Sequence, residues 1–166
     1  GMAMAVDVVV FSEAPKDLGP GIKVMVGLPS ANPWSLPFAH KAAFVQNVDQ
    51  YDLFIYTEDD MDVSEKNIQA FLQATPLLSA DEIAGFLRYE TDPSGILHLP
   101  EAHDSAHWKP DTVKKRGAFT VAEFSNEHAG FYILTQNQLK QAIASGNFQR
   151  NPYEGRYGLP ETAATD

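Results

Sequence analysis

No cysteine occurs among the 166 residues. That excludes a disulfide framework, a thiolate metal site and a cysteine nucleophile. Basic residues are scarce as well: 12 Lys and Arg stand against 22 Asp and Glu, a formal net charge of −10. This balance argues against nucleic acid or an anionic membrane as the main partner. A phosphate ligand stays open, because a cation can bridge acids to phosphate. No stretch approaches the roughly 18 apolar residues of a transmembrane helix. No signal peptide is visible, and with cysteine also missing a cytoplasmic location is expected. Nothing repeats at a fixed period and no segment is of low complexity.

What is present suits a globular chain. Hydrophobic residues make up 44% and charged residues 20%, enough for one domain with a real core over residues 1–166. Gly1 before Met2 reads as a tag remnant, and residues 147–166, with Pro152, Gly155, Gly158 and Pro160, read as an irregular tail.

The most informative stretch is Tyr51 to Asp62, Tyr-Asp-Leu-Phe-Ile-Tyr-Thr-Glu-Asp-Asp-Met-Asp. Its apolar run, Leu53 to Tyr56, reads as a strand buried on both faces, as in a parallel sheet. Glu58, Asp59, Asp60 and Asp62 follow at once. Like charges this close repel unless something neutralises them, and a hard cation such as Mg2+ or Mn2+ takes oxygen ligands. In an open sheet, ligands bind beyond the carboxyl ends of the strands. The plainer reading is a turn and a helix start, with Asp62 or Ser64 as cap and Glu65 in the first turn.

Around this stretch the chain reads as alternating elements. Strands are expected at 6–12 and 22–28. A helix is expected from about Leu36, with Phe38, Ala42, Val45 and Val48 on its buried face and His40, Lys41, Gln46 and Asn47 off it. A second helix runs from Val63 to about Thr75 and is closed by Pro76. Residues 82–91 read as a strand, Asp92-Pro93-Ser94-Gly95 as a turn, and Ile96 to Leu99 as a hairpin return. Residues 101–116 read as loop, 118–124 and 131–134 as strands, and Gln136 to Ala144 as a helix ended near Gly146. The alternation predicts an α/β architecture: a mixed, mostly parallel, Rossmann-like sheet flanked by helices.

The unit Tyr-Asp-Leu-Phe-Ile-Tyr-Thr-Glu-Asp-Asp resembles the Asp-x-Asp segment of GT-A glycosyltransferases, where a buried strand ends in an acidic triplet. The resemblance spans about residues 6–146. It implies a GT-A-like fold and metal-dependent transfer of a sugar from a nucleotide-diphosphate donor to a hydroxyl acceptor. Asp60 corresponds to the last acid, which binds Mn2+ or Mg2+. Glu58 corresponds to the first acid, which turns toward the nucleotide or holds the loop and can join the metal, and Asp59 to the middle acid, which faces the donor sugar. An acceptor-side acid is also common in the family, and Asn126-Glu127-His128-Ala129-Gly130 corresponds to it. Glu127 is then the first choice of catalytic base and His128 the second; a loop acid and a structural histidine are the plainer readings. The chain opens on what corresponds to the family's second strand, and no late His or Asp ligand follows Gly146. The resemblance thus implies a domain shortened at both ends.

Other features carry less. Arg88 and Glu90 share a strand face and either pair or meet acceptor hydroxyls. His103 and His107, near Glu101 and Asp104, have a zinc-like spacing. Trp108 can stack on a sugar or on its own domain. Lys114-Lys115-Arg116 meets a diphosphate or forms a solvated turn. Two other readings remain: a non-catalytic GT-A-like protein that binds sugar, nucleotide or a partner, and a metal-dependent phosphate hydrolase. A shortened sheet would also expose an edge that a second copy could cover, giving a homo-oligomer.

Overall fold

The computed structural model describes residues 4–98, 107–125, 130–156 and 158–165. Its centre is a ladder of two strands, β3 and β8, far apart in sequence. In chain order the strands are β1 Val8–Ser12, β2 Ile22–Val26, β3 Leu53–Thr57, β4 Glu90–Thr91, β5 Leu97–His98, β6 Lys114–Arg116, β7 Phe119–Val121 and β8 Phe131–Thr135. The helices are α1 Ala39–Gln46, α2 Glu65–Ala74, α3 Gln136–Ala144 and α4 Leu159–Thr165. A 3-10 run over Pro33–Phe38 leads straight into α1.

β3 pairs antiparallel with β8, from Leu53 opposite Thr135 to Thr57 opposite Phe131. Side chains alternate along a strand, so the ladder has two faces. Phe54 and Leu134 lie on one face and pack with Leu139 of α3, Phe148, and Phe44 and Val45 of α1. Ile55, Ile133 and Phe131 lie on the other, against Phe71 and Ile68 of α2, with Met61, Val63, Ala84 and Phe86. The ladder is thus the middle layer between α1 with α3 on one side and α2 on the other. Phe71, Ile133 and Leu139 are fully buried, and burying such a side chain contributes about 1.5–3 kcal/mol.

Local chemistry sets the helix ends. Ser64 is the N-cap of α2; its N–H and its hydroxyl both donate to Asn67 Oδ1, at 2.9 and 2.6 Å. Thr135 caps α3 by accepting from the Gln138 N–H at 3.2 Å, and Gln138 Oε1 accepts from the Thr135 N–H at 3.0 Å. The Thr135–Gln138 pair is reciprocal and satisfies two backbone donors, whereas Asn67 satisfies the Ser64 N–H.

The other strands form separate pairs. β1 and β2 run parallel, joined by nine residues with no helix between them. Gly19 and Gly21 take positive φ, 88° and 85°, and that freedom lets so short a connection double back. β4 with β5 and β6 with β7 are antiparallel pairs.

This arrangement corrects the expected architecture. Among the described residues no sheet has more than two strands, so the GT-A-like, mostly parallel, Rossmann-like sheet is not formed. The apolar run of β3 is covered on both faces, as its composition requires, but its neighbour β8 runs the opposite way. An unbroken apolar run reports coverage by layers above and below, not the direction of the neighbouring strand. The expected strand 82–91 forms only at Glu90–Thr91, and the tail contains α4. No described helix is long and apolar enough to cross a membrane.

Candidate functional site

The acids stand where β3 ends. The Glu58 N–H donates to the Gly130 carbonyl at 2.8 Å, one step beyond the last ladder pair. The Glu58 carbonyl then accepts from the Met61 N–H at 3.3 Å and the Thr57 hydroxyl at 3.0 Å. The chain therefore turns immediately, carrying Asp59 and Asp60 on the turn. Glu58 is half-buried, while Asp59, Asp60 and Asp62 are exposed.

Glu58 is the one acid whose side chain is held. Its Oε1 accepts from the Tyr56 hydroxyl at 3.2 Å. Its Oε2 lies over Gly130, where an added Cβ would come within 3.2 Å of it. Tyr56 sits two residues earlier, on the same side of the strand. Its hydroxyl is held far above the usual tyrosine range, first by burial, then by the Glu58 charge, the bond to that carboxylate, and the Asp60 charge. Tyr56 therefore remains a donor, which is what a carboxylate partner requires.

Behind Tyr56 lies a buried histidine. The His40 ring stacks on Tyr56 with centroids 4.0 Å apart and planes 23° apart, and meets Phe44 and Tyr132 edge-on. Its Nδ1 is 2.6 Å from the Pro37 carbonyl. A carbonyl only accepts, so Nδ1 carries the hydrogen, and Nε2 accepts from the Tyr132 hydroxyl. Burial pushes the His40 pKa down to about 3; the bond to Pro37 opposes this and the Lys41 charge adds to it. Tyr132 is raised well above its ordinary range, mainly by burial and then by Tyr56. Lys41 is buried beside His40, its Nζ 5.2 Å from the Phe38 ring centre and 5.5 Å from that of Phe148.

His40 and Lys41 correct the expected face of α1, which put them outside and Ala42 inside. Ala42 is exposed and the two polar residues are buried. Positions 41, 44, 45 and 48 fit the helical period as well as the stripe drawn through 42, and the polar residue types masked this. The aromatic content of β3 and β8, with tyrosines at 56 and 132, is the signal that a nearby ring or hydrogen-bonding side chain belongs in this layer.

The residues singled out from the sequence are placed as follows. Glu58, Asp59 and Asp60 share one turn. Glu127 and His128 lie outside the described residues, as do Glu101, His103 and Asp104. Asp62 does not cap α2; Ser64 does. Lys114 and Arg116 face Glu82, at 2.8 and 3.5 Å, which ties the basic run to its own domain. Trp108 packs against Phe124 with ring centres 4.8 Å apart. Arg88 and Glu90 form no ion pair among the described residues.

Two neighbouring carboxylates are of the chemical type that a hard cation takes in an open site. Mg2+ usually keeps several waters and takes one or two carboxylates together with substrate phosphates. Glu58 and Asp60 offer that number, one of them fixed. Among the described residues no three His, Asp or Glu side chains group so as to hold a metal ion, so a cation here would have two carboxylates at most.

No family model, curated protein or solved structure matches the chain.

Proposed function

We propose that the turn after β3 binds the diphosphate of a nucleotide sugar through Mg2+ or Mn2+, and that the chain transfers the sugar to a hydroxyl acceptor. The observation that carries this reading is the fixed Glu58. A half-buried carboxylate held by a neutral tyrosine at one oxygen, with glycine under the other, has its free oxygen already aimed. Preorganisation of this kind lowers the ordering cost of binding. Asp60 is the second ligand, and Asp59, between them and exposed, faces the donor sugar.

The chemistry gained from a divalent cation there is Lewis-acid stabilisation of the leaving diphosphate. The chain's own residues supply the rest. Tyr56 holds Glu58 in place and does not ionise. Glu127, or else His128, takes the proton from the acceptor hydroxyl if the transfer inverts.

A second reading is a binder without transfer. It is favoured by the two-stranded β3–β8 ladder, which lacks the broad parallel sheet on which a nucleotide base would rest.

Calorimetric titration of UDP and GDP, with Mn2+ and then with EDTA, tests the site. Binding that needs Mn2+ and disappears in Asp60→Ala is the expected result. Equal binding by the wild type and Asp60→Ala, or none in either, overturns the assignment. Incubation of the wild type with UDP-hexoses and a hydroxyl acceptor separates transfer from binding alone.

A further inference from the structure

A recess opens at the end of the ladder away from the acid turn, between the segment that follows α2 and the first turns of α3. Its volume is about 240 Å3. Thr135 lies in its wall and pairs with Leu53, while the acid turn follows Thr57. Five residues of strand therefore separate the two places, about 13 Å at the usual rise. The recess does not belong to the acid site.

Its wall carries no ionisable side chain. Asn137, Gln138 and Gln141 of α3, which carry carboxamides, line it together with Thr75 and Ser79, and of the two hydroxyls Thr75 Oγ1 is sealed from solvent. The Asn137 and Gln141 amides have no hydrogen-bond partner among the described residues. Gln138 uses Oε1 on Thr135 and keeps its Nε2 hydrogens free. The Thr75 Oγ1 is buried and unpartnered. Ser79 Oγ accepts from Arg116 at 3.2 Å and keeps its own hydrogen to donate. Leu78 and Ala80 complete the wall with apolar surface.

Such a wall selects by what it has and by what it lacks. A carboxamide donates and accepts at once, so adjacent amides match a ligand whose neighbouring groups also do both. Vicinal hydroxyls have this property. No cationic residue lines the recess, the Arg116 guanidinium that reaches Ser79 is paired with Glu82 at 3.5 Å, and the net charge is −10, all of which disfavour an anion. The positive end of the α3 dipole disfavours a cation. The volume is below that of a drug-sized site, so one small ring fits. We infer that the recess between Thr75–Ala80 and Asn137–Gln141 is a binding site for a neutral monosaccharide unit, free or at the end of a glycan, with its hydroxyls on the amides and its C–H face on Leu78 and Ala80.

The test is titration of the 15N-labelled chain with methyl glucoside, methyl mannoside and methyl galactoside, followed by NMR. Saturable shifts of the Asn137 and Gln141 side-chain amides at millimolar sugar are expected from at least one of the three. They should persist in EDTA and in Asp60→Ala, so this site and the acid turn stand or fall separately. Asn137 and Gln141 are exposed, and Gln141→Glu keeps the shape while adding a charge. That variant should bind roughly tenfold more weakly, and Asn137→Ala with Gln141→Ala, read at the Gln138 side-chain amide and the Ser79 and Ala80 backbone amides, should abolish the shifts. No saturable shift with any of the three glycosides overturns the inference. So do shifts that survive the double variant, or glucuronate binding as well as the neutral sugars.

Discussion

The Tyr56 hydroxyl, on β3, and the Glu58 carboxylate, one residue past the end of that strand, are joined by a hydrogen bond of 3.2 Å. The buried residue supplies the donor, and the half-buried one carries the charge outward. The strand's alternation alone brings them together, because positions i and i+2 share a face.

Removing that donor should loosen the acid without unfolding the chain. Tyr56→Phe keeps the ring against His40 and deletes the hydroxyl. A hydrogen bond to a charged group contributes about 1.5–3 kcal/mol, and part of this should appear as weaker Mn2+-dependent UDP binding. Calorimetry with the wild type and the variant checks it. Unchanged affinity would show that Glu58 needs no support from Tyr56.

Gly130 should be as sensitive for a steric reason. An added Cβ would sit 3.2 Å from Glu58 Oε2, so Gly130→Ala must push the carboxylate aside. Thermal unfolding should shift little, since the contact is with the end of a movable side chain, while Mn2+-dependent UDP binding weakens. A large stability loss with full binding would contradict this account.

His40 should make the fold sensitive to acid. Its pKa is about 3 in the folded chain against 6.5 unperturbed, a depressed value. Below 6.5 the unfolded chain takes up a proton that the folded chain refuses. The stability tied to neutral His40 is therefore complete above 6.5 and is lost as pH falls from there toward 3. Between pH 7 and pH 5 the loss is about 2 kcal/mol by linkage. Urea unfolding at both values should show this loss in the wild type and much less of it in His40→Gln. Equal pH dependence in the two proteins would remove His40 as the cause.

The sequence displayed some of this plainly. Leu53 to Thr57 and Phe131 to Thr135 are short apolar runs, α2 and α3 combine apolar residues with a cap or a breaker, and all four stand where those signals put them. Strand partners were not legible, because a covered strand looks alike beside a parallel or an antiparallel neighbour. Residues 82–89 show the related difficulty. Ala84 and Phe86 face the core while Ile83, Leu87 and Tyr89 face outward, an alternation proper to a strand, yet regular pairing forms only at Glu90–Thr91. The tail concealed a helix behind Gly158 and Pro160, although proline suits a first helical turn. Within the site, the acid turn was readable from its charges. Its support from Tyr56 was not, since the i, i+2 spacing puts the two residues on one side without saying that the hydroxyl turns toward the carboxylate. His40 was hidden because a polar side chain with both ring nitrogens satisfied is buried at little cost.

The pairing of Thr57 with Phe131 places the turn's anchor late in synthesis. Glu58 emerges from the ribosome long before Gly130, whose carbonyl fixes its backbone. Closing so long a loop costs entropy before any contact rewards it. Until β8 arrives, the acids are a bare run of like charges on an unpartnered strand. The backbone that aims Glu58 is therefore set only after the second half of the chain has been made.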